Sequence, residues 1–246
     1  MDVQIDYREH RMPISLDKVQ STAPGLVSLY KAAKVNLEKR GLGGERAAVY
    51  LVLDRSGSMR RYYKDGAVQH LAEQALALSA HLDDDGVVPV VFFDKVAHPP
   101  VDVSLTRYQG RINEEHERLG HMGTTNYAAA MQAVIDHYRA SGASAPAYVI
   151  FQTDGSPDSR TAAEKTLCAA STLPIFWQFV GFGDDEFKFL RKLDDLPVPR
   201  KRAIDNADFF PAGPEPRSIA DDDLYGRLMN EFPSWLTEAR AAGILR

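Results

Sequence analysis

Apolar residues follow two rhythms along this chain. Short unbroken runs alternate with longer stretches in which apolar positions return every three or four residues. The runs lie at 47–53, 87–93, 147–153, 174–180 and 204–210. Runs of that length fit strands covered on both faces. Between them, 25–40 carries Leu26, Leu29, Tyr30, Ala33 and Leu37 at helical spacing, with Gly41 as its stop. The same spacing returns in 65–82 through Val68, Leu71, Ala72, Ala75, Leu76, Ser79 and Leu82. After Asn126 it recurs in Ala128, Met131, Val134, Ile135 and Tyr138.

Further helices are expected over the polar 107–118, around Phe187 and Leu190, and over 222–231 and 233–242. Another runs to about residue 171, with Ser156 as cap and Pro157 in its first turn. Residues 101–105 alternate in polarity behind Pro99 and Pro100, which suits a strand at a sheet edge. Trp177 and Trp235 read as core, and Cys168 as a small residue on an apolar helix face. Residues 1–24 are polar and mixed, a lead that either frays or pairs at an edge.

Strand and helix alternate from Arg46 onward without a linker. That order predicts an α/β fold, a mostly parallel central sheet with helices on both faces and one short antiparallel edge strand. It also divides the chain into an extension, 1–44, whose helix packs on the domain, and a domain, 45–246, that includes the closing helices.

Composition narrows the function. The 246 residues are 44% hydrophobic and 26% charged, an ordinary globular balance. A net charge of −5 argues against a dedicated nucleic-acid binder. No apolar stretch reaches the length of a membrane span. A single cysteine excludes an internal disulfide framework, and with no secretory leader pattern a cytoplasmic setting is expected. The seven histidines show no His-x-x-x-His on a helix, so zinc has no support.

The chemistry gathers where apolar runs stop. The first ends in Asp54-Arg55-Ser56-Gly57-Ser58, the second in Asp94, the third in Asp154-Gly155-Ser156-Pro157-Asp158. Parallel strands bring their carboxyl ends to one edge, where α/β folds bind ligands. A loop with Thr124 and Thr125 lies between the second and third runs. Asp54, Ser56, Ser58, Thr125 (or Thr124) and Asp154 then offer oxygen alone, which suits Mg²⁺ or Ca²⁺. The plainer reading makes Asp54, Ser56 or Ser58 the N-cap of the following helix. Asp94, without hydroxyl neighbours, reads as a loop cap or a support behind the site, and Asp158 as a helix-start charge. Arg60, Arg61 and Lys64 are either a solvated face or a rim for an acidic partner, and Tyr62 and Tyr63 either rim or packing.

Asp54-x-Ser56-x-Ser58, Gly123-Thr124-Thr125-Asn126 and Thr153-Asp154-Gly155 resemble the metal-ion-dependent adhesion site of von Willebrand factor type A (vWA) domains. The resemblance covers 47–210 in element order and implies a three-layer Rossmann-like fold. It implies that the two loop serines and a threonine oxygen bind the ion, with the aspartates acting directly or through water. Aligning on Asn126 selects Thr125, and Thr124 remains the alternative. A narrower likeness rests on Ile14-Ser15-Leu16-Asp17-Lys18, Val35-Asn36-Leu37-Glu38-Lys39 and Leu224-Tyr225-x-x-Leu228-x-Asn230-Glu231-Phe232-Pro233-x-Trp235-Leu236. These stretches are similar to type A domains of bacterial tellurium-resistance, stress-response proteins, which implies a cytoplasmic chemical-stress role.

Two carboxylates only neutralise a divalent ion, so it stays electrophilic toward one more oxygen. An Asp or Glu of a partner protein can fill that place. The expected function is therefore non-enzymatic, metal-dependent protein binding, with Arg60, Tyr62 and Thr124 as candidate rim contacts. The alternative is an Mg²⁺-dependent phosphoryl-transfer enzyme. Ser56 stands where a haloacid-dehalogenase-like phosphatase would carry a second aspartate, and no Gly-x-x-x-x-Gly-Lys loop occurs.

Overall fold

The computed structural model describes residues 13–245. The chain runs α1 (Leu16–Thr22), α2 (Val27–Lys39), β1 (Ala48–Asp54), α3 (Arg60–Lys64), α4 (Ala67–Leu82), β2 (Val87–Phe93), β3 (Val101–Ser104) and α5 (Arg111–Leu119). It continues α6 (Tyr127–Ser141), β4 (Ala147–Thr153), α7 (Arg160–Ala170), β5 (Ile175–Phe182), α8 (Lys188–Asp194), β6 (Ala207–Gly213), α9 (Asp221–Leu228) and α10 (Phe232–Ala241). The strands form one sheet in the order β3–β2–β1–β4–β5–β6. All are parallel except β3, which pairs antiparallel with β2 at the edge.

Burial on both faces explains the unbroken apolar runs. Val49, Leu51 and Leu53 of β1 join a core with residues of α2, α4, α9 and α10. Tyr50 and Val52 join a second core with residues of α6, α7 and α8. Every residue of β4 is buried. Trp177 and Trp235, at 0% and 2% exposure, belong to opposite cores. Each fully buried large apolar side chain contributes about 1.5–3 kcal/mol, so the two layers of helix hold the sheet by sheer number of contacts.

Strand order decides where a site can form. From β1 the chain moves to β2 on one side and later returns to β4 on the other. Between β1 and β4 the connections diverge and leave a crevice beyond the strand ends.

Three local features differ from the sequence reading. Residues 16–22 form α1, with Ser15 Oγ accepting from Lys18 N at 3.2 Å; seven residues are too short for a periodic signal. The expectation for the extreme amino terminus, 1–12, lies outside the described residues. Residues 60–64 close into the helical turn α3. Helix α7 starts at Arg160 and is capped by Ser159, not Ser156, because Asp158 and its neighbours are drawn into a loop contact described below.

Phe187 is the one non-glycine residue with positive φ among those described, at 51°. Its ring lies where a side chain on Gly181 would stand, 2.7 Å from an ideal Cβ. Glycine there lets the β5–α8 loop fold back over the strand.

Candidate metal centre

Asp54 closes β1 with its side chain fully buried. The loop then doubles back, so that Asp54 Oδ1 accepts from Ser56 N at 2.6 Å. Asp54 Oδ2 accepts from Thr153 Oγ1, also at 2.6 Å, which ties β1 to the last residue of β4. Tyr63 OH donates to Asp54 O at 2.9 Å, and Tyr127 OH lies 3.0 Å from Thr153 Oγ1 and within reach of Gly155 O. The carboxylate is fixed by hydroxyls and an amide, with no ion pair among the described residues.

That isolation appears in its acidity. Burial pushes Asp54 up to about 7 against the pull of its hydrogen bonds from Thr153 and Ser56, and the Asp154 charge adds to the rise. Burial also raises Asp154, while hydrogen bonds from Ser58 and Ser56 lower it. Two neighbouring carboxylates without a cation favour uptake of positive charge.

The serines close the gap between the strands. Ser58 Oγ donates to Asp154 Oδ1 at 2.9 Å, and Ser56 Oγ lies 3.1 Å from Ser58 Oγ and 3.4 Å from Asp154 Oδ1. Four of the five expected donors therefore meet at the β1–β4 crevice.

The loop that carries the fifth, Thr125, meets the Asp54–Ser58 loop at Gly123. Gly57 N donates to Gly123 O at 3.3 Å, and Asn126 N donates to Asp94 O at 2.9 Å. Asp158 N donates to Thr125 O at 2.8 Å. Thr124 Oγ1 and Thr125 N both donate to Asp158 Oδ2, at 2.6 and 3.1 Å. The Thr124 hydroxyl is thus engaged by Asp158. The half-buried Thr125 hydroxyl has no hydrogen-bond partner among the described residues. Gly123 permits this approach: an ideal Cβ there would stand 3.0 Å from Asp94 Cβ and 3.1 Å from its carboxyl carbon.

Residues that the sequence reading passed over hold the loops in place. Arg55, between Asp54 and Ser56, is fully buried. Its guanidinium donates to Asp94 Oδ2 at 3.2 Å, to His116 O at 3.2 Å and to Gly120 O at 2.9 Å, while Nε meets His116 Nδ1 at 3.2 Å. The His116 ring stacks on Tyr63, with centroids 3.9 Å apart; burial and then the Arg55 charge lower its pKa to about 4. Asp94 also accepts from Val96 N and faces His98 Nε2, both at 3.2 Å. No local sequence signal marks Arg55 as a clamp, because His116 lies 61 residues away. Asp158 ties the threonine loop down rather than merely charging a helix start.

Of the candidate rim residues, Arg60 and Thr124 are exposed. Tyr62 is not: at 2% exposure it packs against Phe182, with Arg61 stacked 4.4 Å over its ring. A second acidic group, Asp194, Asp208 and Glu231, gathers near the start of β6 with ligand atoms within 4.8 Å of one another.

This frame matches known proteins. Residues 46–245 match the vWA-TerF-like family, described as the vWA found in the TerF C terminus. The uncharacterized protein YcbR of Bacillus subtilis is 38% identical over 220 residues, which cover 88% of each chain. The chain belongs to the vWA-TerF-like family. vWA domains typically bind metal ions and proteins and are generally non-enzymatic.

Solved structures share the fold at low identity. A von Willebrand factor type A protein from Catenulispora acidiphila is 19% identical with a TM-score of 0.52, over 77% of this vWA chain and 42% of that one. The chain thus spans less than half the length of that protein. Proximal thread matrix protein 1 from the mussel byssus is 13% identical with a TM-score of 0.53, over 76% and 48%. The manganese-loaded Plasmodium vivax TRAP protein is 20% identical with a TM-score of 0.50, over 77% and 74%. Among the described residues, no helix is long and apolar enough to cross a membrane.

Proposed function

We propose that this vWA domain is a metal-dependent protein-binding module of a cytoplasmic chemical-stress system of the tellurium-resistance type. Asp54, Ser56, Ser58, Thr125 and Asp154 would hold Mg²⁺ or Ca²⁺. The donors fit a hard cation: all are oxygen, and the buried, unpaired Asp54 carboxylate calls for positive charge. Hydroxyl-rich ligation leans toward the smaller, partly hydrated ion. The bound ion would supply an electrophilic position for an aspartate or glutamate of the partner.

The observation that carries this reading is the meeting of Ser58 Oγ and Asp154 Oδ1 at 2.9 Å, from loops 96 residues apart, beside a buried carboxylate without a counter-charge. The manganese in the related TRAP structure supports it by analogy of fold. Calorimetric titration with Mg²⁺, Ca²⁺ and Mn²⁺ tests the ion. Wild type binds at least one of them, and Ser58→Ala or Asp154→Asn weakens binding by about tenfold or more. A partner pull-down with and without chelator, comparing wild type with Ser56→Ala, tests adhesion. Capture that ignores both chelator and substitution would sink the proposal.

A further inference from the structure

Several cations of this chain are held in ion pairs. Lys192 and Lys201 share Glu164, Arg107 and Arg111 share Glu114, and Arg240 meets Glu45. Arg60, Lys64 and Lys95 are exposed and form no ion pair among the described residues. All three border the metal centre. Arg60 and Lys64 are the first and last residues of α3, which starts two residues beyond Ser58. Lys95 follows Asp94, and its carbonyl accepts from Asn126 Nδ2 at 3.2 Å, which sets it against the threonine loop. Arg61 of the same turn is directed away from this group and donates to Pro214 O at 2.9 Å. Beside Lys95 stands Val96, 51% exposed, one of the few large apolar side chains left open.

The opposite side of the same edge carries the other sign. Asp184 and Asp185 are exposed on the loop after β5, where Glu186 pairs with Lys188. In a chain of net charge −5, this separation makes a rim with a basic and an acidic side. A carboxylate arriving at the ion would find its acidic neighbours welcomed over α3 and the β2 loop and repelled over the β5 loop.

We propose that the partner presents an acidic–apolar segment rather than a lone carboxylate. One Asp or Glu completes the ion's coordination, at least one more lies over Arg60, Lys64 and Lys95, and an apolar side chain rests on Val96. This rests on the adhesive reading above and adds the partner's chemistry and its direction across the rim. Exposed charges are screened over about 8 Å at physiological salt, so these cations act chiefly on the rate of encounter.

Two fluorescein-labelled peptides in a Gly-Ser background test it by anisotropy with Mn²⁺. One carries a single glutamate, the other a Glu-Val-Glu-Glu core. The full chain prefers the second by about tenfold, mostly through faster association, and the preference shrinks as salt rises. The double variant R60Q/K95Q loses the preference without losing Mn²⁺ affinity by calorimetry, since removing cations does not weaken a nearby cation site. If R60Q/K95Q keeps the preference, the inference fails while the adhesive reading stands. If neither peptide responds to chelator, both fall together.

Discussion

Asp158 accepts from Thr124 Oγ1 and Thr125 N through one oxygen, while its own amide donates to Thr125 O. Three bonds thus orient a loop that has no ladder of its own. Asp158→Ala removes the carboxylate and frees the threonine loop, lowering Mn²⁺ affinity by about 10–100-fold, as is usual for groups that orient metal ligands. Asp158→Asn keeps an acceptor oxygen and recovers most of that loss. Calorimetry beside a thermal melt separates positioning from folding: the melting temperature should move little in either variant. Equal affinity in Asp158→Ala and wild type would leave Asp158 the helix-start charge that its position suggests.

Between elements, Arg55 ties the end of β1 to the end of α5 and to the loop after β2. Its buried charge is balanced by Asp94 and two carbonyls. Arg55→Met removes the cation and leaves Asp94, which keeps only His98 and a backbone amide. Breaking one side of a buried pair costs about 3–5 kcal/mol. In a domain of this size that lowers the melting temperature by on the order of 10 °C. Differential scanning calorimetry reads it, and a shift of only a degree or two would mean that the network is not closed. The same bonds explain why α5, polar in sequence, lies where it does: Ile112 enters the core and the His116 end is held by Arg55.

For the molecule as a whole, buried acids set the response to pH. Burial, reinforced by neighbouring carboxylates, lifts Asp194 to about 8 and Glu231 to about 7, beside an also raised Asp208. Asp54 at about 7 and Asp83 at about 6 shift the same way. An acid with a raised folded pKa lends stability that is complete below its unfolded pKa and disappears as pH rises through the folded one. Glu115 and Glu164 are lowered by hydrogen bonds from Arg118 and from lysines, so their share disappears on acidification. The metal-free protein should therefore be most stable on the acid side of neutrality, losing stability as pH passes about 7 and about 8. Melting temperatures across that range test it. Asp194→Asn flattens the slope and raises the alkaline melting temperature; an unchanged slope would contradict the assignment.

The amino-acid order by itself determined the α/β alternation, because strands buried on both faces must be apolar throughout and the covering helices apolar on one side. It also marked the candidate donors, since Asp54, Ser56, Ser58 and Asp154 stand where apolar runs stop. Boundaries were less legible: α1 is too short to show a period, and the α7 cap moved to Ser159 once Asp158 was engaged elsewhere. Only the tertiary structure decided that β1 and β4 are neighbours, that Thr124 turns to Asp158 while the Thr125 hydroxyl keeps no hydrogen-bond partner among the described residues, and that Tyr62 is covered while Arg60 stays open. It alone revealed Arg55 as the clamp. Those outcomes depend on contacts between residues tens of positions apart, and local patterning carries no information about which distant partner a side chain will meet.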